Sequence, residues 1–374
     1  MATSRRTNGS GLLLAFSCAF SWPTALLAFD PDIDAILKDT NRRTAWERLV
    51  DRGPAALPLL LDAMDSKDTA AVNWLRTAFD RIVEKEIAAG GKRLDVDALL
   101  KYAEDSQRPG RARRLALDVI EPIRPGTRAK LLTGWLDDRE FRFDAIGELI
   151  ARAEKLPAND SKKELQLAFA AVRDIEQTKQ LAVKLDKLGE KVSVAKHLGF
   201  ILDWHVIGPF DARNQQGFKT TYPPEEKVDL AAEVTGRDGS LEWKRFALKE
   251  PNPSSGGRFG LINLLEPLGT HHDAVAFAHA TIRVEKAVEA EFRGAADDNL
   301  TVWVNGKRVF GFEEYRNGVR HDRHRFKVTL KQGDNSVLVK ICQAPIDATS
   351  PEPNWEFLLR VVGPDRAGLR FSQP

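Results

Sequence analysis

The spacing of apolar residues changes once along the chain, close to Lys196. From Ile33 to about Gly189, apolar side chains recur three and four positions apart, which is the spacing of amphipathic helices. After Lys196 they alternate with polar residues, which is the period of half-buried β-strands. The pattern therefore predicts an α+β multidomain protein, with a helical half followed by a β half.

The helical half repeats one arrangement, in which a helix meets a short break and a second helix follows. The segment "TAWERLVDRGPAALPLLLDAM" breaks at Gly53-Pro54, and "ARRLALDVIEPIRPGTRAKLLTGWL" breaks at Pro125-Gly126. Helical hairpins that return at roughly 30 to 40 residues are typical of an α-solenoid. We predict an α-solenoid of HEAT-like hairpins over residues 31–155, then a helical hairpin or connector over 156–196.

The β half contains about nine alternating segments separated by short turns. Successive strands without helix-length crossovers predict an antiparallel sandwich over residues 197–366, with a tail at 367–374. The strongest turn signal is Asn305-Gly306, between "TVWV" and "KRVF", because a type I′ hairpin needs a positive φ at both central residues.

Parts of the chain resemble known families. The segments "WHVIGPFDARNQQGFKTTYPPEEKVDL", "LEWKRF", "DDNLTVWVNGKRVF" and "LKQGDNSVLVKICQ" resemble a galactose-binding-like jelly roll of exported bacterial proteins, a fold also used for sugar binding beside glycosidase domains. "DDREFRFDAIGELI" resembles a HEAT repeat, and the passage from "VAKHLGF" into "IGPF" is similar to HEAT-repeat proteins of planctomycete type. The resemblance implies a jelly-roll fold and carbohydrate binding.

The first 28 residues differ from the rest of the chain. Arg5 and Arg6 precede the apolar stretch "GLLLAFSCAFSWPTALLA", which ends in small residues before the acidic "FDPDID". This order is typical of a secretory signal peptide, so we predict an exported protein, periplasmic or extracellular. A retained membrane anchor is the alternative, although Ser17, Trp22 and Pro23 interrupt a run shorter than the roughly 20 apolar residues that a span needs.

Composition narrows the classes of partner and chemistry. The chain has 56 basic and 54 acidic residues and a formal charge of +2, so no overall field favours nucleic acid. It has two cysteines, and Cys18 lies inside the predicted signal, so Cys342 would have no intramolecular partner. No nucleophile elbow, HExxH motif or P-loop is present in the sequence, and the protein is predicted not to be an enzyme.

Two histidine clusters and several carboxylates are candidates for metal binding or acid–base catalysis. His271–Asp273 and His321–His324 could supply metal ligands, but surface loop histidines are the simpler interpretation. Adjacent carboxylates such as Asp297-Asp298 cannot by themselves face each other across a glycosidic bond. The sequence therefore predicts no cofactor, with a structural Ca²⁺ at Asp297, Asp298 and Asn299 as an alternative to simple turn capping.

Loop residues of the β half offer better material for a binding site. Carbohydrate recognition needs hydrogen-bonding groups and an aromatic platform on loops that a rigid scaffold holds. Strand alternation favours core packing for Trp303 and leaves Trp355 as either a core residue or a platform. The predicted ligand-binding residues are Asp297, Asp298, Tyr315, Arg320, Asp322, Gln343, Asn354 and Trp355.

These observations predict an exported, non-enzymatic binding or adaptor protein. The sandwich would bind a glycan or another surface partner, and the helical repeats would dock a protein. The alternative is a structural scaffold of the cell envelope in which both halves bind proteins. A glycoside hydrolase or a metal-dependent hydrolase would need carboxylates or histidines that converge in a cleft.

Overall fold

The structure of the chain is a computed structural model that describes residues 30–255, 258–315, 318–345 and 354–374. The predicted signal peptide at 1–28 lies outside these ranges. The chain divides into two compact units, Met1–Thr127 and Arg128–Pro374. Within the described ranges, none of the helices combines the length and the apolar character needed to cross a membrane.

The described part of the first unit is helical. Its buried residues recur at helical spacing, as in α2, where Ala45, Leu49 and Val50 are buried. The prediction of a helix, a break and a second helix is confirmed: Gly53 takes a left-handed φ of 68° and starts a short 3-10 turn that leads into the next helix. The helices are α1 Pro31–Leu37, α2 Arg42–Arg52, α3 Leu57–Ala63, α4 Thr69–Ala88, α5 Val96–Glu104 and α6 Gly110–Ile123.

Helices continue into the second unit and pack on its strands. The boundary between the units therefore lies earlier than the predicted change at 155–196. The reason is apolar burial: Ala182, Ala195 and Leu198 form one buried cluster with Phe200 and Leu358, so these helices share a core with the strands. The helices are α7 Thr127–Leu132, α8 Arg142–Ala153, α9 Ala158–Ala171, α10 Ile175–Lys187, α11 Val194–Leu198, α12 Pro223–Glu226 and α13 Leu265–Leu268.

The strands of the second unit form two larger antiparallel sheets and one small one, which confirms a β-sandwich-like arrangement. One sheet has six strands in the order β4-β1-β6-β11-β8-β9, and the other has four in the order β10-β7-β12-β5. The strands are β1 Asp203–Asp211, β2 Val234–Thr235, β3 Ser240–Leu241, β4 Lys244–Ala247, β5 Ile262–Asn263, β6 Ala274–Val284, β7 Val288–Asp297, β8 Asn299–Val304, β9 Lys307–Phe312, β10 His324–Leu330, β11 Gly333–Gln343 and β12 Glu356–Val362.

The predicted hairpin between β8 and β9 is present. Asn305 and Gly306 have φ values of 53° and 77°, as a two-residue type I′ turn requires. Trp303 is packed in a core, as strand alternation predicted, but not in the core between the sheets. Val302 and Val304 face the core between the sheets, and Trp303 points to the opposite face, where it joins a second buried cluster with Phe277 and Leu338.

Strand β11 shows the same division between two cores. Val337, Val339 and Ile341 face the main core, whereas Leu338 and Cys342 belong to the second cluster. The thiol of Cys342 is almost completely buried, and burial raises its pKa to about 12. The structure therefore favours a structural role for this thiol. Regular alternation along β11 places Cys342 on the same face as Leu338.

The second cluster lies under the segment that follows β1, and a buried lysine holds this segment in place. Lys340 is 1% exposed, and its Nζ donates to Glu225 Oε1 at 2.8 Å and to the carbonyl oxygen of Thr220 at 2.7 Å. The ammonium group also lies 4.9 Å from the centre of the Tyr222 ring. Because a buried charge is costly without such partners, these contacts fix the segment on the six-stranded sheet.

Asp322 also has a structural role. Its carboxylate accepts from Arg360 Nε at 2.7 Å and from Arg293 Nη1 at 2.8 Å, and Arg360 is 2% exposed. Burial disfavours the charge of Asp322, but the two guanidinium groups outweigh it and lower the pKa. Asp322 was predicted as a ligand-binding residue, and the structure shows both its oxygens engaged by internal cations.

We expect Asp322→Asn to lower the free energy of unfolding by about 2–4 kcal/mol, because it leaves the buried Arg360 guanidinium without its counter-charge. Urea unfolding of the full chain, followed through the fluorescence of the buried core residues Trp204 and Trp355, measures this change.

The matched control is Asp334→Asn. Asp334 also binds an arginine with both oxygens, from Arg283 at 2.6 and 2.8 Å, but both partners are exposed. Because solvent screens an exposed pair, its loss should lower the free energy of unfolding much less than the loss of the buried one. Equal losses in the two variants would contradict the structural role of Asp322.

Candidate functional site

Most of the predicted binding residues lie at one end of the sandwich, here called the loop end. At this end β1, β7, β9 and β11 finish and β6, β8, β10 and β12 begin. The strand register confirms this geometry, since Gln343 pairs with Ala274, Cys342 with Asn299, and Glu356 with Asp297. The connections that meet here include the predicted loops after β9 and β11.

Asp297 is a half-buried carboxylic acid at the last position of β7. Burial raises its pKa to about 6, and the carboxylates of Asp298 and Glu356 add to the rise; the backbone N–H of Gly318 and the charge of Arg258 oppose it. The peptide bond between Asp297 and Asp298 is cis. At neutral pH the site therefore carries a negative charge that its surroundings stabilise poorly.

Asp298 and Asn299 support neighbouring loops. Asp298 is buried, and its Oδ2 accepts from the backbone N–H of Ala344 at 2.6 Å. Asn299 Oδ1 accepts from the backbone N–H of Glu314 at 2.6 Å, while its Nδ2 is buried without a hydrogen-bond partner. These side chains cap backbone groups, as expected, but those groups belong to distant loops and not to their own turn.

Gln343 has a buried oxygen that no donor among the described residues satisfies. The residue ends β11 and is 6% exposed, and its Oε1 is buried without a hydrogen-bond partner. A buried polar atom of this kind costs free energy unless something binds to it. Gln343 Oε1 thus lacks a donor among the described residues, whereas the Asp297 carboxylate accepts from the backbone N–H of Gly318 but keeps a raised pKa.

The remaining polar residues of the predicted set lie in less enclosed positions. Tyr315 is half-buried, its hydroxyl donates to the carbonyl oxygen of Gln215 at 3.2 Å, and burial raises its pKa to about 12. Arg320 and Asn354 are exposed. They are therefore accessible to solvent and to a bound partner.

Trp355 does not form a platform. Its side chain is fully buried at 0% exposure in the main core, and its Nε1 donates to the carbonyl oxygen of Ile341 at 3.4 Å. Strand β12 is buried along its whole length, so the residue just before it is drawn into the core as well. The structure shows the core position that the sequence analysis left open as the alternative.

Three residues near this end were missed in the sequence analysis. Phe312 ends β9 with an exposed ring whose centre lies 4.7 Å from that of the His324 ring. Glu356 accepts from Arg258 Nη2 with both oxygens, at 3.0 and 2.8 Å. The alternation of Phe310 and Phe312 along β9 could have indicated Phe312. No sequence signal indicated the contact between Arg258 and Glu356, because 98 residues separate them.

The histidine clusters do not assemble a metal site. Within the residues that the structure describes, no group of three His, Cys, Asp or Glu side chains could hold an ion. His271 Nε2 lies 2.9 Å from the carbonyl oxygen of Leu268, and His321 Nε2 lies 3.1 Å from that of Phe259. Both rings therefore contact backbone.

No family model matches the chain, and no curated protein matches it. Among solved structures, it is similar to the PA14 sugar-binding domain from an RTX adhesin, with a TM-score of 0.27 and 12% identity over 46% of this chain and 96% of that one. It is similar to a glycosyl hydrolase family 2 member from Bacteroides cellulosilyticus DSM 14838, with a TM-score of 0.27 and 10% identity over 44% of this chain. The match covers 21% of that hydrolase. At TM-scores of this size, similarity decides nothing about function.

The arrangement of the loop end suits hydrogen bonding more directly than covalent chemistry. A carboxylate and an amide oxygen without adequate donors would accept O–H groups or coordinate a hard cation. Exposed Arg320 and Asn354 add donors, and the Phe312 ring adds an apolar face. Groups of these types form hydrogen bonds with hydroxyl-bearing ligands.

We expect Asp297→Asn to stabilise the protein above about pH 6. The folded state binds the Asp297 proton more tightly than the unfolded state, so its stabilising effect is complete below about pH 4 and is lost as the pH rises through about 6. Thermal unfolding between about pH 4 and pH 8 should show the variant gaining on the parent as the pH rises.

Asp211→Asn is the control. Asp211 is exposed, and hydrogen bonds from Arg213 lower its pKa to about 2, so any contribution to stability is lost only as the pH falls toward that value. This variant should leave the profile between about pH 4 and pH 8 unchanged. A parallel shift in both variants would contradict the assignment to Asp297.

Proposed function

We propose that the protein is an exported, non-enzymatic binding protein whose loop end takes a carbohydrate or another hydroxyl-rich surface partner. The observation that carries this proposal is the half-buried Asp297 carboxylate, whose pKa is raised to about 6 by burial and further by the carboxylates of Asp298 and Glu356. Sugar hydroxyls donate hydrogen bonds to such oxygens in the same geometry as protein donors. A bound sugar would thereby remove a cost that the free protein bears.

The surroundings of these acceptors support the same ligand class. Arg320 and Asn354 can donate to ring or hydroxyl oxygens of a sugar, and the exposed face of Phe312 can pack against its C–H groups. The galactose-binding-like jelly roll that the sequence resembles is the fold we propose for this unit.

The helical part is proposed to dock a protein partner through HEAT-like hairpins. Paired helices that stack by their apolar faces leave long outer surfaces available for contact. Export is proposed from the predicted signal peptide at 1–28. A purely structural scaffold of the cell envelope is the alternative that remains if no glycan binds.

Calcium is a second candidate ligand of the same site. Asp297, Asp298 and Gln343 present the oxygen atoms that Ca²⁺ prefers, and a cation would offset the charge that raises the pKa of Asp297. Such an ion would be structural, or would take part in holding the sugar.

A hydrolase is favoured by one observation, the raised pKa of Asp297 opposite Glu356 in the strand register. Acid–base catalysis uses a pair of carboxyl groups in different protonation states. Glu356, however, has both oxygens engaged by Arg258. We therefore retain the non-enzymatic function, and assays of hydrolysis with chromogenic glycosides test the alternative.

A glycan array probed with the full chain tests the proposed function. We expect selective binding by the parent and a loss of about tenfold or more in Asp297→Asn/Gln343→Met, which removes the charge and the unsatisfied oxygen at nearly constant volume. Binding should weaken below about pH 6, as Asp297 becomes protonated.

The control for the array is Asp334→Asn. Asp334 is the second residue of β11 and lies at the opposite end of that strand from Gln343. This variant should bind as the parent does. Binding that EDTA abolishes would assign the carboxylates to Ca²⁺, and binding that survives EDTA would assign them to the sugar. No glycan bound by a folded parent would overturn the carbohydrate proposal and favour the scaffold.

A further inference from the structure

Two histidines lie side by side on the outer face of the six-stranded sheet. The strand register pairs His205 of β1 directly with His279 of β6. The residues on both sides of each histidine belong to the core between the sheets, so the two imidazole rings point to the opposite face. Side chains that lie directly opposite each other in an antiparallel pair have Cβ atoms about 4.5–5.5 Å apart. The two rings are therefore neighbours on this face.

The ring of His279 is held in one orientation and keeps one nitrogen open. Its Nε2 lies 3.0 Å from Ser336 Oγ on β11, and the Trp243 ring packs edge-to-face against it, with 6.4 Å between the ring centres. Its Nδ1 has no hydrogen-bond partner among the described residues and is not one of the atoms buried without a partner, so solvent reaches it. Because β6 lies between β11 and β1, a ring that directs Nε2 to Ser336 turns Nδ1 toward the side of His205.

His205 is half-buried and has no hydrogen bond among the described residues, so its ring nitrogens are available. Burial lowers the pKa of His279 to about 4, with a smaller contribution from the charged form of His205. His279 is therefore neutral near pH 7, which is the form of histidine that binds a metal ion. The cation next to the pair in the register is Arg245, and both carboxylate oxygens of Asp203 accept from it, at 3.1 and 2.5 Å.

We propose that His205 and His279 together bind a divalent transition-metal ion, through one nitrogen of each ring. Imidazole suits Cu²⁺, Ni²⁺ and Zn²⁺, and the general order of affinities places Cu²⁺ first. Ser336 bonds the second nitrogen of His279 and thereby fixes its tautomer and orientation, as groups behind metal ligands do. Within the described part of the chain no third His, Cys, Asp or Glu completes a group, so water or a bound partner would fill the remaining positions.

The test is isothermal titration of the full chain, without a histidine tag, with Cu²⁺, Ni²⁺ and Zn²⁺ near neutral pH. We expect a saturable site that binds Cu²⁺ most tightly. His205→Gln should weaken Cu²⁺ binding by about tenfold or more, because the advantage of two linked ligands is lost. The matched control is His272→Gln, which removes another half-buried histidine of the second unit and should leave this affinity unchanged.

Ser336 is tested as a positioning residue. Ser336→Ala keeps both metal ligands but frees the His279 ring, and it should weaken Cu²⁺ binding by about tenfold. Ser336→Thr keeps the hydroxyl and should bind as the parent does. Thermal unfolding without metal checks that all variants fold, and NMR shows which ring the ion contacts. Paramagnetic Cu²⁺ should broaden the C–H resonances of His205 and His279 before those of His272.

Three results would overturn the proposal. The first is that the folded parent shows no saturable Cu²⁺ binding with a dissociation constant below about 1 mM, equivalent to about 4 kcal/mol. The second is that His205→Gln and His272→Gln have equal effects on the affinity. The third is that Cu²⁺ broadens the resonances of His272 first, which would place the ion at the other histidine cluster.

Discussion

Strand β11 is buried on both faces, and the strand register and packing of the second unit depend on that constraint. Its odd-numbered residues from Val337 to Ile341 fill the space between the two sheets, and the even-numbered ones face a second buried cluster. A shift of one residue would exchange the two sets and bring the ammonium group of Lys340 into the apolar core. Because Lys340 is held by Glu225 and backbone oxygens, the register of the strand and the position of the covering segment are fixed together.

The same register determines what the loop end can do. The C-terminal end of β11 brings Gln343 to the loop end, beside Asp298. The Asp298 carboxylate accepts from the backbone N–H of Ala344. The β7–β12 pairing places Asp297 opposite Glu356; burial raises the pKa of Asp297, and the carboxylates of Asp298 and Glu356 add to the rise. Strong pairing in the sheets thus maintains a polar site that local interactions alone would not stabilise. Sites with this imbalance are typical of ligand binding because a ligand can correct it.

Local patterns predicted the elements well and the environment of individual side chains poorly. Periodicity located the helices and longer strands, and Asn305-Gly306 marked its hairpin, since these signals depend on near neighbours. Which of two buried cores a strand residue joins is a tertiary property, so strand alternation predicted the burial of Trp303 but not its cluster. Nothing near Asp322 in sequence indicates its contact with Arg360, 38 residues away. Asp297 and Gln343 were named from sequence, but the burial of Asp297 and of Gln343 Oε1 follows only from tertiary packing.

The Asp297 carboxylate at the loop end carries a negative charge that its surroundings stabilise poorly. The most direct measurement is a ¹³C NMR titration of the Asp297 side-chain carboxyl in the full chain, with Asp297→Asn used to assign the resonance. The structure predicts a pKa of about 6, well above the usual value near 4. A pKa at or below the usual value would show that donors or cations already satisfy this carboxylate, and would contradict the account of the site.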